Sequence, residues 1–223
     1  MSLATLGLSP EILRALKDKS YTTATDIQKE LIPAIFTKRD ILAGAQTGTG
    51  KTAGFALPIL QELNRTHTSQ IHYPQALILV PTRELARQVY TSFKDYGKYL
   101  DIKSTVLYGG SNMTAQANRL SMGVDIVVAT SGRLLEHIKQ KNISLEGVEY
   151  LVLDEADTIL DMGFLHEVSQ IIQHLPTRRQ NILISATLTG ALKRLSEEIL
   201  SKPKLIEVDS MGTTANLVTQ LVY

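Results

Sequence analysis

Gly44-Ala45-Gln46-Thr47-Gly48-Thr49-Gly50-Lys51-Thr52 follows directly on the apolar run Ile41-Leu42-Ala43, and helically spaced apolar residues continue from Thr52 to Leu63. Strand, glycine-rich turn, lysine–hydroxyl pair and helix, in that order, form a phosphate-binding loop. Gly48 and Gly50 let the backbone wrap an anion with its amide hydrogens inward, and the helix starting near Lys51 adds its positive end. Gln46, Thr47, Gly48, Thr49, Gly50, Lys51 and Thr52 are therefore candidate nucleotide-binding residues. In this motif the lysine reaches the outer phosphates and the hydroxyl that follows binds Mg2+. Ala45 stands where the usual pattern has glycine. Gly48 to Ala53 also fits a dinucleotide fingerprint, but that motif needs an acid ending the next strand, and Leu79-Val80-Pro81-Thr82 has none.

Outward from this loop the chain alternates. Short apolar runs recur at Ala76–Val80, Thr105–Tyr108, Asp125–Ala129, Tyr150–Leu153, Ile182–Ile184 and Leu205–Val208. Most are continuous, as in strands covered on both faces. Helical spacing lies between them, at Pro10–Lys17, Asp26–Phe36, Glu84–Tyr99, Arg133–Lys139, Leu165–Leu175 and Leu192–Leu200. The pattern predicts an α/β fold with a parallel sheet of about seven strands and helices on both faces. Ligands in such sheets bind beyond the carboxyl ends of the strands. The residues after Asp209 are small and polar and read as a linker.

Composition narrows the chemistry. The 223 residues are 43% hydrophobic and 20% charged, an ordinary globular balance. With no cysteine, disulfides, thiolate zinc sites and cysteine nucleophiles are excluded. Lys plus Arg number 23 against 22 Asp plus Glu, so any nucleic-acid affinity must come from a local patch. No apolar run reaches the roughly 18 residues of a membrane span, and Met1 to Thr5 lack a secretory pattern, so a cytoplasmic location is expected. His166-Glu167 opens like a zinc-protease helix without the second histidine. All five histidines read as surface residues.

A second chemical centre follows Leu151-Val152-Leu153, where the chain continues Asp154-Glu155-Ala156-Asp157. A buried strand delivers these carboxylates to the ligand rim. Asp154 is the candidate Mg2+ ligand, Glu155 the candidate to orient or activate water, and Asp157 a third acid needing positive or donor partners.

This tetrad resembles the signature of the DEAD-box RNA helicases. Other elements stand in that family's order: Ile27-Gln28, the P-loop with its alanine at Ala45, Pro81-Thr82-Arg83-Glu84-Leu85-Ala86, Gly109-Gly110, Thr130-Ser131-Gly132-Arg133-Leu134 and Ser185-Ala186-Thr187. The likeness runs from about Leu6 to Val208. It implies a RecA-like fold over 1–208, with an adenine-recognition segment at about 3–28. It also implies ATP and Mg2+ as cofactors, RNA as partner, a monomer, and a second RecA-like domain reached through a linker starting at 209–223. Four positions depart from the family: Ser131 and Ala24 where it commonly has proline, Ser20 where it has glycine, and Leu3 where it has an aromatic.

Residue chemistry agrees with these roles. The Gln28 amide carries a donor beside an acceptor, matching the edge of adenine, and Tyr21 lies close enough in sequence to pack near the base. The resemblance makes Pro81, Thr82, Arg83, Gly109, Gly110, Thr130, Gly132 and Arg133 RNA-facing, and none forms a base-reading set. Asp157, Ser185 and Thr187 are the candidate coupling residues, with Thr187 or Thr189 also suited to cap a helix. The resemblance implies that Lys51, Asp154 and Glu155 act in ATP hydrolysis. An ATP-switched RNA clamp and a DNA-directed translocase are the alternative readings.

Overall fold

The computed structural model describes residues 1–46, 48–66, 73–187 and 189–208, and the expected linker at 209–223 lies outside them. A seven-stranded parallel sheet forms the centre. Its strands are β1 (Ile41–Gly44), β2 (Ala76–Leu79), β3 (Ser104–Leu107), β4 (Ile126–Ala129), β5 (Tyr150–Asp154), β6 (Gln180–Ser185) and β7 (Lys204–Glu207). Their spatial order is β3-β4-β2-β5-β6-β1-β7. Ala43 pairs with Ile184, Leu79 with Leu153 and Leu107 with Ala129, so the carboxyl ends share one rim.

Helices α1 (Pro10–Asp18), α2 (Asp26–Phe36), α3 (Lys51–Thr66) and α4 (Arg83–Tyr96) cover one face. The other face carries α5 (Met113–Ser121), α6 (Ser131–Lys139), α7 (Ala156–Asp161), α8 (Leu165–Ile172) and α9 (Gly190–Ile199). Ile78, Val128, Val152 and Ile182 point to the first face, and Leu77, Val127, Leu151 and Leu183 to the second. Burial on both sides is why the strands read as unbroken apolar runs.

Sequence periodicity did not give α5 and α7. Helix α5 buries only Gln116 and Leu120, and α7 spans six residues, so neither carries a readable apolar stripe. The signal present for α5 is its N-cap, Asn112, whose side chain accepts from the Ala115 amide at 3.0 Å. Helix α4 stops at Tyr96 rather than Tyr99 because Gly97 caps it. Of the histidines expected on the surface, His137 is fully buried on α6, while His67 and His72 lie outside the described residues.

The N-terminal segment is tied to the sheet layer by local chemistry. Ser2 bridges Thr23, Leu3 donates its amide to the Thr22 carbonyl, and Ala24 donates to Met1. A proline at position 24 lacks the amide hydrogen for that last bond. Helix α1 then ends in a Schellman turn: the Ser20 amide donates to Lys17 and the Tyr21 amide to Leu16, each at 2.9 Å. Ser20 takes the left-handed position, with φ +59°, where glycine is unstrained. We expect Ser20→Gly to raise unfolding stability by about 0.5–1 kcal/mol, read as a shifted urea midpoint at unchanged slope. No gain would show that the serine hydroxyl offsets the strain.

Candidate functional site

The P-loop leaves β1 with the Ala45 amide donating to the Ser185 carbonyl at 2.9 Å, which fixes the loop against β6. The Gln46 carbonyl accepts from the Thr49 hydroxyl at 2.7 Å, closing the turn. Gly48 and Gly50 have φ of +87° and +90°, so the backbone needs glycine at both. A Cβ on Gly50 would also sit 2.5 Å from the Gln28 side-chain nitrogen. Thr47 lies outside the described residues.

Gln28 is thereby part of the loop's support. Its Oε1 accepts from the Thr25 amide at 3.0 Å, completing the capping box of α2, and its Nε2 donates to the Gly50 carbonyl at 3.0 Å. One N–H and one lone pair of the amide remain for a ligand edge. Helix α2 reaches α3 closely because Gly54 lets Leu31 approach: an added Cβ would meet Leu31 Cδ2 at 3.0 Å.

One open cavity of about 660 Å3 joins these parts. Leu3, Tyr21, Gln28, Gly48, Gly50, Lys51, Thr52 and Glu155 are among its lining residues. Tyr21 is half-exposed at its mouth, tilted 47° against Tyr96 with ring centroids 6.4 Å apart. Burial pushes the Tyr96 hydroxyl up to about 12.

At the inner end, Lys51 Nζ lies 3.0 Å from Asp154 Oδ1 and 3.3 Å from Glu155 Oε1. Lys51 and Asp154 are both buried. Burial pushes the Asp154 carboxyl above its ordinary range, against the opposing pull of Lys51. Its Oδ1 also accepts from the Glu155 amide at 3.0 Å, while Oδ2 is buried without a hydrogen-bond partner among the described residues. Glu155 sits in the left-handed region at φ +54°, a conformation costing a non-glycine residue about 1–3 kcal/mol and concentrated at functional sites. An orphan carboxylate oxygen and the Thr52 hydroxyl are both of the oxygen type a hard cation takes. Among the described residues no three acidic or histidine side chains cluster as a metal cage, so phosphate oxygens and water would complete an Mg2+ shell.

Asp157 turns toward the neighbouring strand. Its Oδ2 accepts from the Thr187 hydroxyl at 2.9 Å, the Thr187 amide at 3.0 Å and the Ala186 amide at 3.2 Å. Ser185 instead donates to the Thr187 carbonyl at 2.7 Å. The capping ambiguity resolves cleanly: Thr189 caps α9 by accepting from Leu192, and Thr187 serves the acid.

Pro81, Thr82, Arg83, Gly109, Gly110, Thr130, Gly132 and Arg133 lie past the ends of β2, β3 and β4, on the rim away from the P-loop. Thr82 caps α4 by accepting from Leu85 at 3.2 Å. Thr130 stands at the N-cap of α6 with no side-chain cap bond. Ser131, where the resemblance has proline, is the first residue of α6, a position that favours proline. Gly110, at φ +75°, lies under Arg83, whose Nη1 would be 2.4 Å from an added Cβ. Gly109 and Gly132 have open space at the Cβ position. Arg133 is drawn inward: its Nη1 donates to the Ser111 carbonyl at 3.0 Å and its Nε lies 2.8 Å from Glu136. These two contacts hold the Arg133 side chain in place, and Arg83 is exposed on the rim.

Residues 25–195 match the DEAD/DEAH box helicase family. The chain belongs to this family. It is 41% identical over 215 residues to the ATP-dependent RNA helicase DbpA of Bacillus subtilis, covering 96% of this chain and 44% of the relative. It is 41% identical over 220 residues to the ATP-dependent RNA helicase DeaD of Escherichia coli, covering 98% and 34%. A DEAD box protein from the hyperthermophile Methanococcus jannaschii superposes with a TM-score of 0.87 at 35% identity, over 94% of this chain and 56% of that one. The chain thus spans less than half the length of these two curated helicases. The seven-stranded sheet is the RecA-like fold of a DEAD-box protein. No helix among the described residues is long and apolar enough to cross a membrane.

Burial raises the Asp157 carboxyl, but hydrogen bonds from Thr187 and neighbouring amides outweigh it and hold the group below its ordinary range. Stability from a depressed carboxylate is present above the unfolded value, about 3.9, and is lost as pH falls through the folded one. We expect Thr187→Val to move the Asp157 titration upward in a carboxyl NMR experiment and to shift acid unfolding to higher pH. An unmoved titration would remove Thr187 from the linkage.

Proposed function

We propose that this chain is the first RecA-like unit, 1–208, of an ATP-dependent RNA helicase. The observation that carries it is one cavity lined by Tyr21 and Gln28 together with Lys51, Thr52 and Glu155. Adenine fits the Tyr21–Gln28 wall, where the spare donor and acceptor of Gln28 meet the base edge. The triphosphate runs along Gly48 to Thr52, where inward amides and the α3 N-terminus favour negative charge. Lys51 binds the outer phosphates and draws off its present acid partners. Thr52 and Asp154 would hold Mg2+, which when bound neutralises charge on the phosphate oxygens. Glu155, the more exposed of the two acids, orients the attacking water and accepts its proton.

RNA lies across the rim formed after β2, β3 and β4. Arg83 and the N-termini of α4, α5 and α6 supply sequence-blind phosphate contacts. Asp157 and Thr187 link the acid-bearing turn to the segment following β6. A second RecA-like domain, joined through 209–223, completes both sites, and the chain works in the cytoplasm as a monomer.

Titration with a fluorescent ATP analogue in Mg2+ tests this reading. We expect measurable but weak binding, reduced at least about tenfold by Lys51→Ala. Turnover by the chain alone should stay near background with or without single-stranded RNA, because an arginine finger from a partner domain is worth about 10³–10⁵ in rate. Glu155→Gln should retain binding and abolish whatever turnover remains. Nucleotide binding indifferent to Lys51 would contradict the assignment, and strong RNA-stimulated turnover would contradict the need for a second domain.

A further inference from the structure

Beneath the RNA-facing rim lies a buried polar chain that the nucleotide site does not use. His137 on α6 and Gln116 on α5 are both fully buried. His137 Nε2 is 3.1 Å from Gln116 Oε1, and His137 Nδ1 is 3.2 Å from Asn142 Nδ2. The amide oxygen of Gln116 only accepts and the amide nitrogen of Asn142 only donates. One proton arrangement satisfies both: a neutral imidazole carrying its hydrogen on Nε2. Gln116 then spends both N–H groups on the loop above. One goes to the Tyr108 carbonyl at 3.1 Å and the other to the Ser111 hydroxyl. Ser111 donates in turn to the Tyr108 carbonyl at 3.1 Å. Tyr108 and Ser111 are the residues on either side of Gly109-Gly110.

We infer that His137, acting through Gln116, is a positioning residue that clamps both ends of the Gly109-Gly110 loop and so sets the RNA-facing surface. The inference rests on the reading of that rim as an RNA site. Its leverage on RNA runs through Gly110, which lies directly under Arg83. A glycine pair with open space at Gly109 has no side chain to hold it, so its shape depends on the bonds at its flanks. The network is fully satisfied, which makes it rigid and makes loss of one member expensive. Burial, with Arg133 nearby, holds the imidazole below its ordinary range and opposed only by Glu136, in keeping with the neutral form.

The test uses the 223-residue chain, a fluorescein-labelled mixed-sequence single-stranded RNA, a fluorescent ATP analogue, and the amide resonances of Gly109 and Gly110. His137→Leu should shift both glycine resonances and weaken RNA binding about tenfold, with nucleotide affinity unchanged. His137→Gln, which restores a donor toward Gln116, should recover most of both effects. If His137→Leu does not fold, Gln116→Glu provides the same comparison, since a carboxylate cannot donate to the Tyr108 carbonyl. A folded His137→Leu with unshifted glycines and unchanged RNA affinity would overturn the inference, as would failure of His137→Gln to recover either signal. If the unaltered chain binds no RNA, the RNA reading of the rim falls, and the glycine resonances alone decide whether His137 sets the loop.

Discussion

The buried pair between Lys51 and Asp154 organises the rest of the molecule. It ties the first residue of α3, beyond the P-loop that leaves β1, to the last residue of β5, and β6 separates those two strands in the sheet. An ammonium this deeply buried is tolerable only with a partner, because desolvation of an isolated charge costs many kcal/mol. Asp154 meets that requirement with one oxygen and leaves the other without a hydrogen bond among the described residues. The pair is therefore both a structural tie and an unfinished site. A phosphate that took over Lys51 would release the acid for a cation, so binding and rearrangement share the same few atoms.

From that tie the rim divides into two regions. The P-loop, the acidic turn and the Ser185–Thr187 segment occupy the ends of β1, β5 and β6. Arg83, the glycine pair and the α6 N-terminus occupy the ends of β2, β3 and β4. Strands β2 and β5 are hydrogen-bonded neighbours, so the regions touch without overlapping. Each is braced from below by its own polar chemistry: Gln28 and Thr25 under the P-loop, His137 and Gln116 under the glycine pair.

Much of this was legible in the sequence. Short apolar runs marked the strands, continuous in β2 and β4 because these are buried on both faces, whereas edge strand β7 buries only Ile206. The P-loop and the tetrad at Asp154 were legible because their chemistry is local: a glycine turn before a helix, and acids at a strand end. What escaped was long-range or polar. Helix α5 has too small an apolar face to read, although Asn112 caps it. His137 lies three residues after Leu134 on the buried face of α6, but a lone histidine reads as a surface residue when its partner Gln116 is on another helix. The bond from Arg133 to the Ser111 carbonyl likewise joins segments far apart in sequence. Gln28 reads as free to meet a base, yet half its bonding capacity goes to Thr25 and Gly50.

On this geometry the Lys51–Asp154 pair is an interdependent buried unit rather than two independent polar residues. A double-mutant cycle measures this most directly: urea unfolding of Lys51→Met, Asp154→Leu and the combined variant. Each single change should destabilise the chain by about 3–5 kcal/mol through the stranded partner, and the double should recover most of that loss. Losses that simply add, with no coupling beyond about 0.5 kcal/mol, would show the two residues to be independent.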